Sequence, residues 1–224
     1  MIKNICVINA LNGSLPLVLK DKYPSAKITC AEVFPFFREH LTRLGFEVVD
    51  WSSMGERKFD LVIGNPPYQN NHDAKRWPLW HQFVIQATQL ALQRVIMITP
   101  NSWMGASDSE VKQTIWPHIT QLHLDIDENF PQVGSSFCWF DLDLNNSSTT
   151  FNVTTSSGPT TVIKSAAWLP NVVNPLNVSI NHKFFNKFPL FNFVRGDCHT
   201  SNKQIFAKQG YEVFHARAQT LYTI

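Results

Sequence analysis

The sequence predicts an α/β protein: a doubly wound, mostly parallel sheet of seven strands, followed by a small irregular module at the C-terminal end. Three observations carry this expectation. Short apolar runs alternate with amphipathic stretches over the first two thirds of the chain. The loops joining them are short, as strand–helix–strand units require. From Asn145 onward the periodicity fades and Ser, Thr and Asn dominate.

The elements are expected in this order. Asn4–Ala10 (NICVINA) reads as a buried strand and Leu15–Lys22 as a helix start. Lys27–Glu32 (KITCAE) reads as a second strand. Pro35–Leu44 (PFFREHLTRL) reads as a helix closed by Gly45, the residue type that best takes the left-handed position past a helix end. Glu47–Asp50 and Phe59–Ile63 (FDLVI) read as the third and fourth strands. Across Leu79–Gln93, the spacing of Leu79, Phe83, Ala87 and Leu90 predicts an amphipathic helix. Arg94–Thr99 (RVIMIT) is expected as the fifth strand and Glu110–Ile119 as a helix. Gln121–Asp127 and Ser136–Leu142 are the last two strands. No helix separates them, which allows an antiparallel pair. Asn145–Thr161 (NNSSTTFNVTTSSGPTT) is a polar loop or, given its β-branched residues, an exposed hairpin. The expected division is a domain of residues 1–144 and a module of residues 145–224.

Composition narrows the function classes. Hydrophobic residues make up 44% of 224, enough for a substantial core and too many for a disordered chain. The net charge of +2 gives a weak overall field, so a nucleic acid would have to be held by local basic patches. The 17 Phe and 7 Trp serve a core or stacking surfaces for bases. Cys6, Cys30, Cys138 and Cys198 form no CxxC pair, and no Cys/His cluster has zinc spacing, so no metal is expected. The first three sit in strand-like runs, as small buried residues in a reducing compartment do. Neither a signal peptide nor an apolar run of ~18 residues is present, so a cytoplasmic location without a membrane span is expected.

Chemistry-bearing residues fall at the expected strand ends, where open α/β sheets bind ligands. Asn9–Leu15 (NALNGSL) follows the first strand, with Gly13 turning into a helix whose first N–H groups are free. Glu32 ends the second strand, about 20 residues beyond that turn, where an acid can accept from both hydroxyls of a ribose. Asp50 ends the third. After the fourth comes Asn65-Pro66-Pro67-Tyr68. The prolines force an extended backbone, which presents Asn65 and Tyr68 in a rigid arrangement. The Asn65 amide oxygen and the adjacent carbonyls are acceptors suited to an NH2 group. Tyr68 offers a flat face to a planar base.

Asp60–Tyr68 (DLVIGNPPY) resembles the fourth motif of S-adenosylmethionine-dependent amino-methyltransferases of the NPPY type, among them adenine-N6 DNA methyltransferases of restriction–modification systems. VINALNGSL takes the place of the glycine-rich cofactor loop. ITPNSWMG (Ile98–Gly105) and FPQVGSSFCWFDL (Phe130–Leu142) look like later segments of these enzymes. The resemblance implies a Rossmann-like methyltransferase fold. It implies S-adenosylmethionine held by Asn9, Leu11, Gly13, Glu32, Val33, Asp50, Trp51 and Asn65. It implies catalysis by Asn65, Pro66, Pro67 and Tyr68 on the amine of a base flipped out of DNA. Tyr68, Lys75, Arg76 and Trp103 are the expected DNA contacts. Residues 145–224 are the expected target-recognition region, and a cognate restriction or specificity subunit is an expected partner. Two positions depart from the family: Asn9 stands where an acid is usual, and Leu15 where a second glycine is usual. Rival readings are a cytosine-N4 or protein-glutamine methyltransferase, and a non-catalytic DNA- or partner-binding module.

Overall fold

The computed structural model describes residues 1–68, 79–105, 110–124, 126, 129–130, 136–156, 158–164, 213–214 and 221–222. Its strands are β1 (Asn4–Ile8), β2 (Lys27–Ala31), β3 (Glu47–Val49), β4 (Phe59–Gly64), β5 (Ala91–Pro100), β6 (Ile119–His123), β7 (Phe137–Asp143), β8 (Thr150–Thr155) and β9 (Gly158–Ile163). They form one sheet in the order β3-β2-β1-β4-β5-β7-β6-β8-β9. Pairing is parallel from β3 through β5, antiparallel on both sides of β7, parallel between β6 and β8, and antiparallel between β8 and β9. The chain divides into two compact units, Met1–Phe185 and Asn186–Ile224. In the second, β10 (Val213–Phe214) pairs antiparallel with β11 (Leu221–Tyr222).

The strands of the parallel half are apolar on both faces because helices cover both. On one face Ile5, Val7, Ile28, Cys30 and Leu61 pack with Leu19 of α1 (Ser14–Lys22) and Leu41 of α2 (Pro35–Arg43). On the other, Cys6, Ile8, Val62, Val95 and Met97 join Phe83, Val84 and Ala87 of α3 (Trp80–Leu90) and Val111 and Ile115 of α4 (Glu110–Ile115). Continuous burial of this kind is what a parallel sheet between two helix layers demands. Cys6, Cys30 and Cys138 are fully buried, and burial pushes Cys30 up to about 12. Among the described residues no helix is long and apolar enough to cross a membrane.

Three details differ from expectation. The sheet has nine strands where seven were expected, because Asn145–Thr161 supplies most of a hairpin that docks on β6. Phe151, Val153 and Val162 of that hairpin are buried, Trp116 packs edge-on against Phe151, and Trp116 Nε1 donates to the Lys164 carbonyl at 2.8 Å. The helix expected to run through Gln93 ends at Leu90, where Ala91 turns to an extended conformation and pairs with Phe59 of β4. The helix expected through Ile119 ends at Ile115, because Pro117 cannot continue it. β6 therefore starts at Ile119.

Candidate functional site

The strand order reverses between β1 and β4: β2 and β3 lie to one side, β5 to the other. Such a switch point opens a crevice at the carboxyl ends of the strands. Asn9 leaves β1, Glu32 leaves β2, Asp50 leaves β3 and Asn65 leaves β4, so parallel pairing brings all four to one edge of the sheet.

Close approach of β1 and β4 begins the site. Gly64 pairs with Ile8, and a Cβ at Gly64 would lie 2.3 Å from the Ile8 carbonyl oxygen. Only glycine fits there. The approach lets the Asn9 side chain cross to the next strand, where Nδ2 donates to the Asn65 carbonyl at 2.7 Å. Asn9 Oδ1 is buried and has no hydrogen-bond partner among the described residues. Past Asn9 the loop is tightly wound: Asn9, Leu11 and Gly13 all have positive φ, at 55°, 48° and 84°. A side chain at Gly13 would also meet Leu44, 2.7 Å away. Leu15 turns inward and packs on the core formed with α1 and α2.

Glu32 holds this loop. It is fully buried, and its two oxygens accept from the Leu11 N–H at 2.8 Å and the Phe34 N–H at 2.9 Å. A buried carboxylate needs such partners. One lone-pair site on each oxygen is thereby used by the backbone. Arg38 of α2 is a residue that sequence reasoning missed, since it reads as one more surface helix cation. It donates to the carbonyls of Glu32 and Val33, each at 2.9 Å, and pairs with Asp50. Asp50 also accepts from the Ser52 N–H at 2.9 Å and from its hydroxyl. The Ser52 bonds, side chain first, hold its carboxyl below the usual range. Trp51 is buried and stacks on Phe83 with 4.8 Å between ring centroids, so its ring serves the core.

At the turn, Pro66 is buried while Asn65, Pro67 and Tyr68 are half-buried. The Tyr68 hydroxyl donates to Asn65 Oδ1. Burial pushes Tyr68 up to about 12. Its ring lies 4.8 Å from that of Phe137, which in turn packs 4.5 Å from Phe130. The aromatic wall beside Tyr68 is thus Phe137 with Phe130. Trp103, an expected DNA contact, is 1% exposed and packs edge-on with Phe140 inside the core. Phe130 and Phe137 both lie in the FPQVGSSF run noted above, which was the available signal. Lys75 and Arg76 lie outside the described residues. No three His, Cys, Asp or Glu side chains among the described residues are placed to hold a metal. A groove of about 650 Å³ lies toward the opposite ends of β4 and β5, lined by Glu56, Lys58, Gln82 and Gln86 among others.

A doubly wound sheet with an Asn-Pro-Pro-Tyr turn at its switch point is the class of protein that these residues define. Comparison with known proteins agrees. Residues 19–124 match the model of the Eco57I restriction-modification methylase family. An uncharacterized adenine-specific methylase of Mycoplasma pneumoniae is 32% identical over 77 residues, which cover 31% of this chain and 18% of the relative. The type I restriction-modification methyltransferase subunit from Streptococcus thermophilus superposes with a TM-score of 0.55 at 12% identity, over 82% of this chain and 47% of that one. The M protein of the type I restriction enzyme EcoKI gives 0.53 at 11% identity, over 68% and 44%. The chain therefore has a Rossmann-like methyltransferase fold and resembles restriction–modification methylases. It spans less than half the length of each relative named here.

Proposed function

We propose that this protein is a DNA methyltransferase of the restriction–modification type, which moves a methyl group from S-adenosylmethionine to the exocyclic N6 amine of a flipped-out adenine. The observation that carries this reading is the acceptor group at the end of β4. The Asn65 amide oxygen and the following Pro66 carbonyl sit on a backbone stiffened by two prolines, and the Asn65 carbonyl is tied to the β1 loop. The adenine-specific description of the Mycoplasma pneumoniae relative favours adenine over cytosine.

The cofactor fits the residues present. Asn9 Oδ1, a buried acceptor without a partner among the described residues, suits its ammonium group. The backbone is wound at Leu11 and Gly13, and the Leu15 side chain packs on the core. Asp50 suits hydrogen bonds at the adenine end, beside Val33 and Trp51. Glu32 acts mainly through Leu11, by fixing the loop. When bound, S-adenosylmethionine supplies a methyl group already activated on a sulfonium.

The protein's own work is placement and charge stabilisation. Asn65 Oδ1 and the Pro66 carbonyl accept the two N–H bonds of the adenine amine, which localises the nitrogen lone pair and stabilises the positive charge that grows as nitrogen attacks. The Tyr68 ring stacks on the base, backed by Phe137. Lys75 and Arg76 contact phosphates, residues 145–224 contribute sequence recognition, and a restriction or specificity subunit completes the assembly in the cytoplasm.

Asn65→Ala tests the reading. Alanine keeps the carbonyl that Asn9 holds and removes only the amide. Methyl transfer to DNA should fall by ~10²–10³, the scale for losing one positioned charge-stabilising group. The calorimetric affinity for S-adenosylhomocysteine should fall far less than the rate, because the other cofactor-loop residues remain. Full transfer by the variant overturns the reading.

A further inference from the structure

Asn9 stands where related cofactor loops carry an acid, and its surroundings favour the amide. Position 9 has φ of 55°, which Asn tolerates better than most side chains. Its N–H donates to the Ala31 carbonyl at 2.9 Å, which fixes the start of the loop against β2. Its Nδ2 then meets a carbonyl oxygen, that of Asn65, at 2.7 Å. A carboxylate in the same place would set acceptor against acceptor at hydrogen-bond distance and repel the turn. The two strands cannot separate to relieve this at low cost, because Gly64 packs against Ile8 and the surrounding β1–β4 ladder is closed. The other end of the same amide, Oδ1, is a buried acceptor left open. Buried unpaired acceptors are costly and rare, and they persist where a ligand supplies the donor.

We infer that Asn9 is a positioning residue for Asn65: one rigid amide ties the NPPY turn to the β1 loop through Nδ2, while its Oδ1 receives an N–H or ammonium donor of the methyl-donor molecule. The inference rests on the methyltransferase reading above. Its new content is that the cofactor loop and the amine-binding turn form one unit through a single side chain. An amide locked at Oδ1 by the ligand cannot swing away from the Asn65 carbonyl, so a filled donor site holds the catalytic turn in register.

Asn9→Asp separates the two ends. Aspartate is nearly isosteric, also tolerates positive φ, and keeps an acceptor for an ammonium group while losing the donor to Asn65. In this variant the calorimetric Kd for S-adenosylhomocysteine should stay within about threefold of the parent protein. The kcat for methyl transfer to unmethylated genomic DNA should drop ~10²-fold, the scale of an ~1 Å misplacement of a reacting group. Asn9→Ala removes both ends, so Kd and kcat should both worsen. A purely structural role for Asn9 would instead lower the melting temperature of Asn9→Asp and shift Kd and kcat together, which overturns the inference. So does Asn9→Asp with unchanged kcat. If the parent protein neither binds S-adenosylhomocysteine nor transfers methyl groups, the methyltransferase reading fails first and takes this inference with it.

Discussion

The Tyr68 hydroxyl takes up one lone-pair site of Asn65 Oδ1, the oxygen proposed to accept from the target amine. Asn65 Oδ1 serves Tyr68 in the free protein and, in the proposed reaction, the base. Because burial holds Tyr68 up at about 12, its hydroxyl remains a donor throughout the ordinary working pH range, and mild alkali does not release Asn65. Tyr68→Phe removes this competitor and keeps the ring, so the KM for DNA should stay level or fall. Tyr68→Ala removes the stacking platform, worth ~1–3 kcal/mol per base, and should raise KM by roughly 5- to 150-fold. A Tyr68→Phe variant as damaged as Tyr68→Ala would show that the hydroxyl, and not the ring, matters. At this scale the positions of Asn65, Glu32 and Asp50 were legible, because each follows a strand-like run in a parallel sheet. The partners were not. Glu32 spends both oxygens on backbone N–H groups, and Trp103 disappears into the core, because loop winding and burial depend on contacts far away in sequence.

Elements place these residues, and two predictions belong to them. Gly64→Ala puts a Cβ 2.3 Å from the Ile8 carbonyl, backbone that cannot give way cheaply. The variant should lose at least ~1–3 kcal/mol of stability, read as a lower urea midpoint, and methyl transfer should fall further than stability explains. A midpoint equal to that of the parent would mean that β1 and β4 are less tightly coupled than their register indicates. The second prediction concerns the β3 edge. Hydrogen bonds from Lys27 and then Arg57 hold Glu47 down at about 2, against an ordinary 4.5. A carboxylate with a depressed folded value stabilises the protein above its ordinary value, and that contribution is lost as pH falls toward the folded one. The melting-temperature gap between the parent protein and Glu47→Gln should therefore be full at neutral pH and close between 4.5 and about 2. A gap independent of pH would remove the ion pairs from the account. The sequence marked most elements, since their periods are strong. The hairpin was left open because its Ser/Thr/Asn content hides an alternation in which Phe151 and Val153 point inward. The early stop of α4 was readable from Pro117, which outweighs the apolar pattern around it.

On the scale of the molecule, one topological fact organises the rest: strand order reverses between β1 and β4, and the loop and the NPPY turn flank that reversal. The Rossmann-like sheet was legible in the alternation of elements. Its extension to nine strands was not, because pairing at an edge leaves little trace in local sequence. The measurement that bears most directly on the central claim is identification of the methylated product. The full chain is incubated with labelled S-adenosylmethionine and unmethylated DNA, the DNA is digested to nucleosides, and Asn65→Ala is run in parallel. The account predicts label in N6-methyladenine that is nearly lost in the variant. Label in N4-methylcytosine would contradict the choice of base, and DNA binding without label in any nucleoside would contradict the claim that this chain is itself the catalyst.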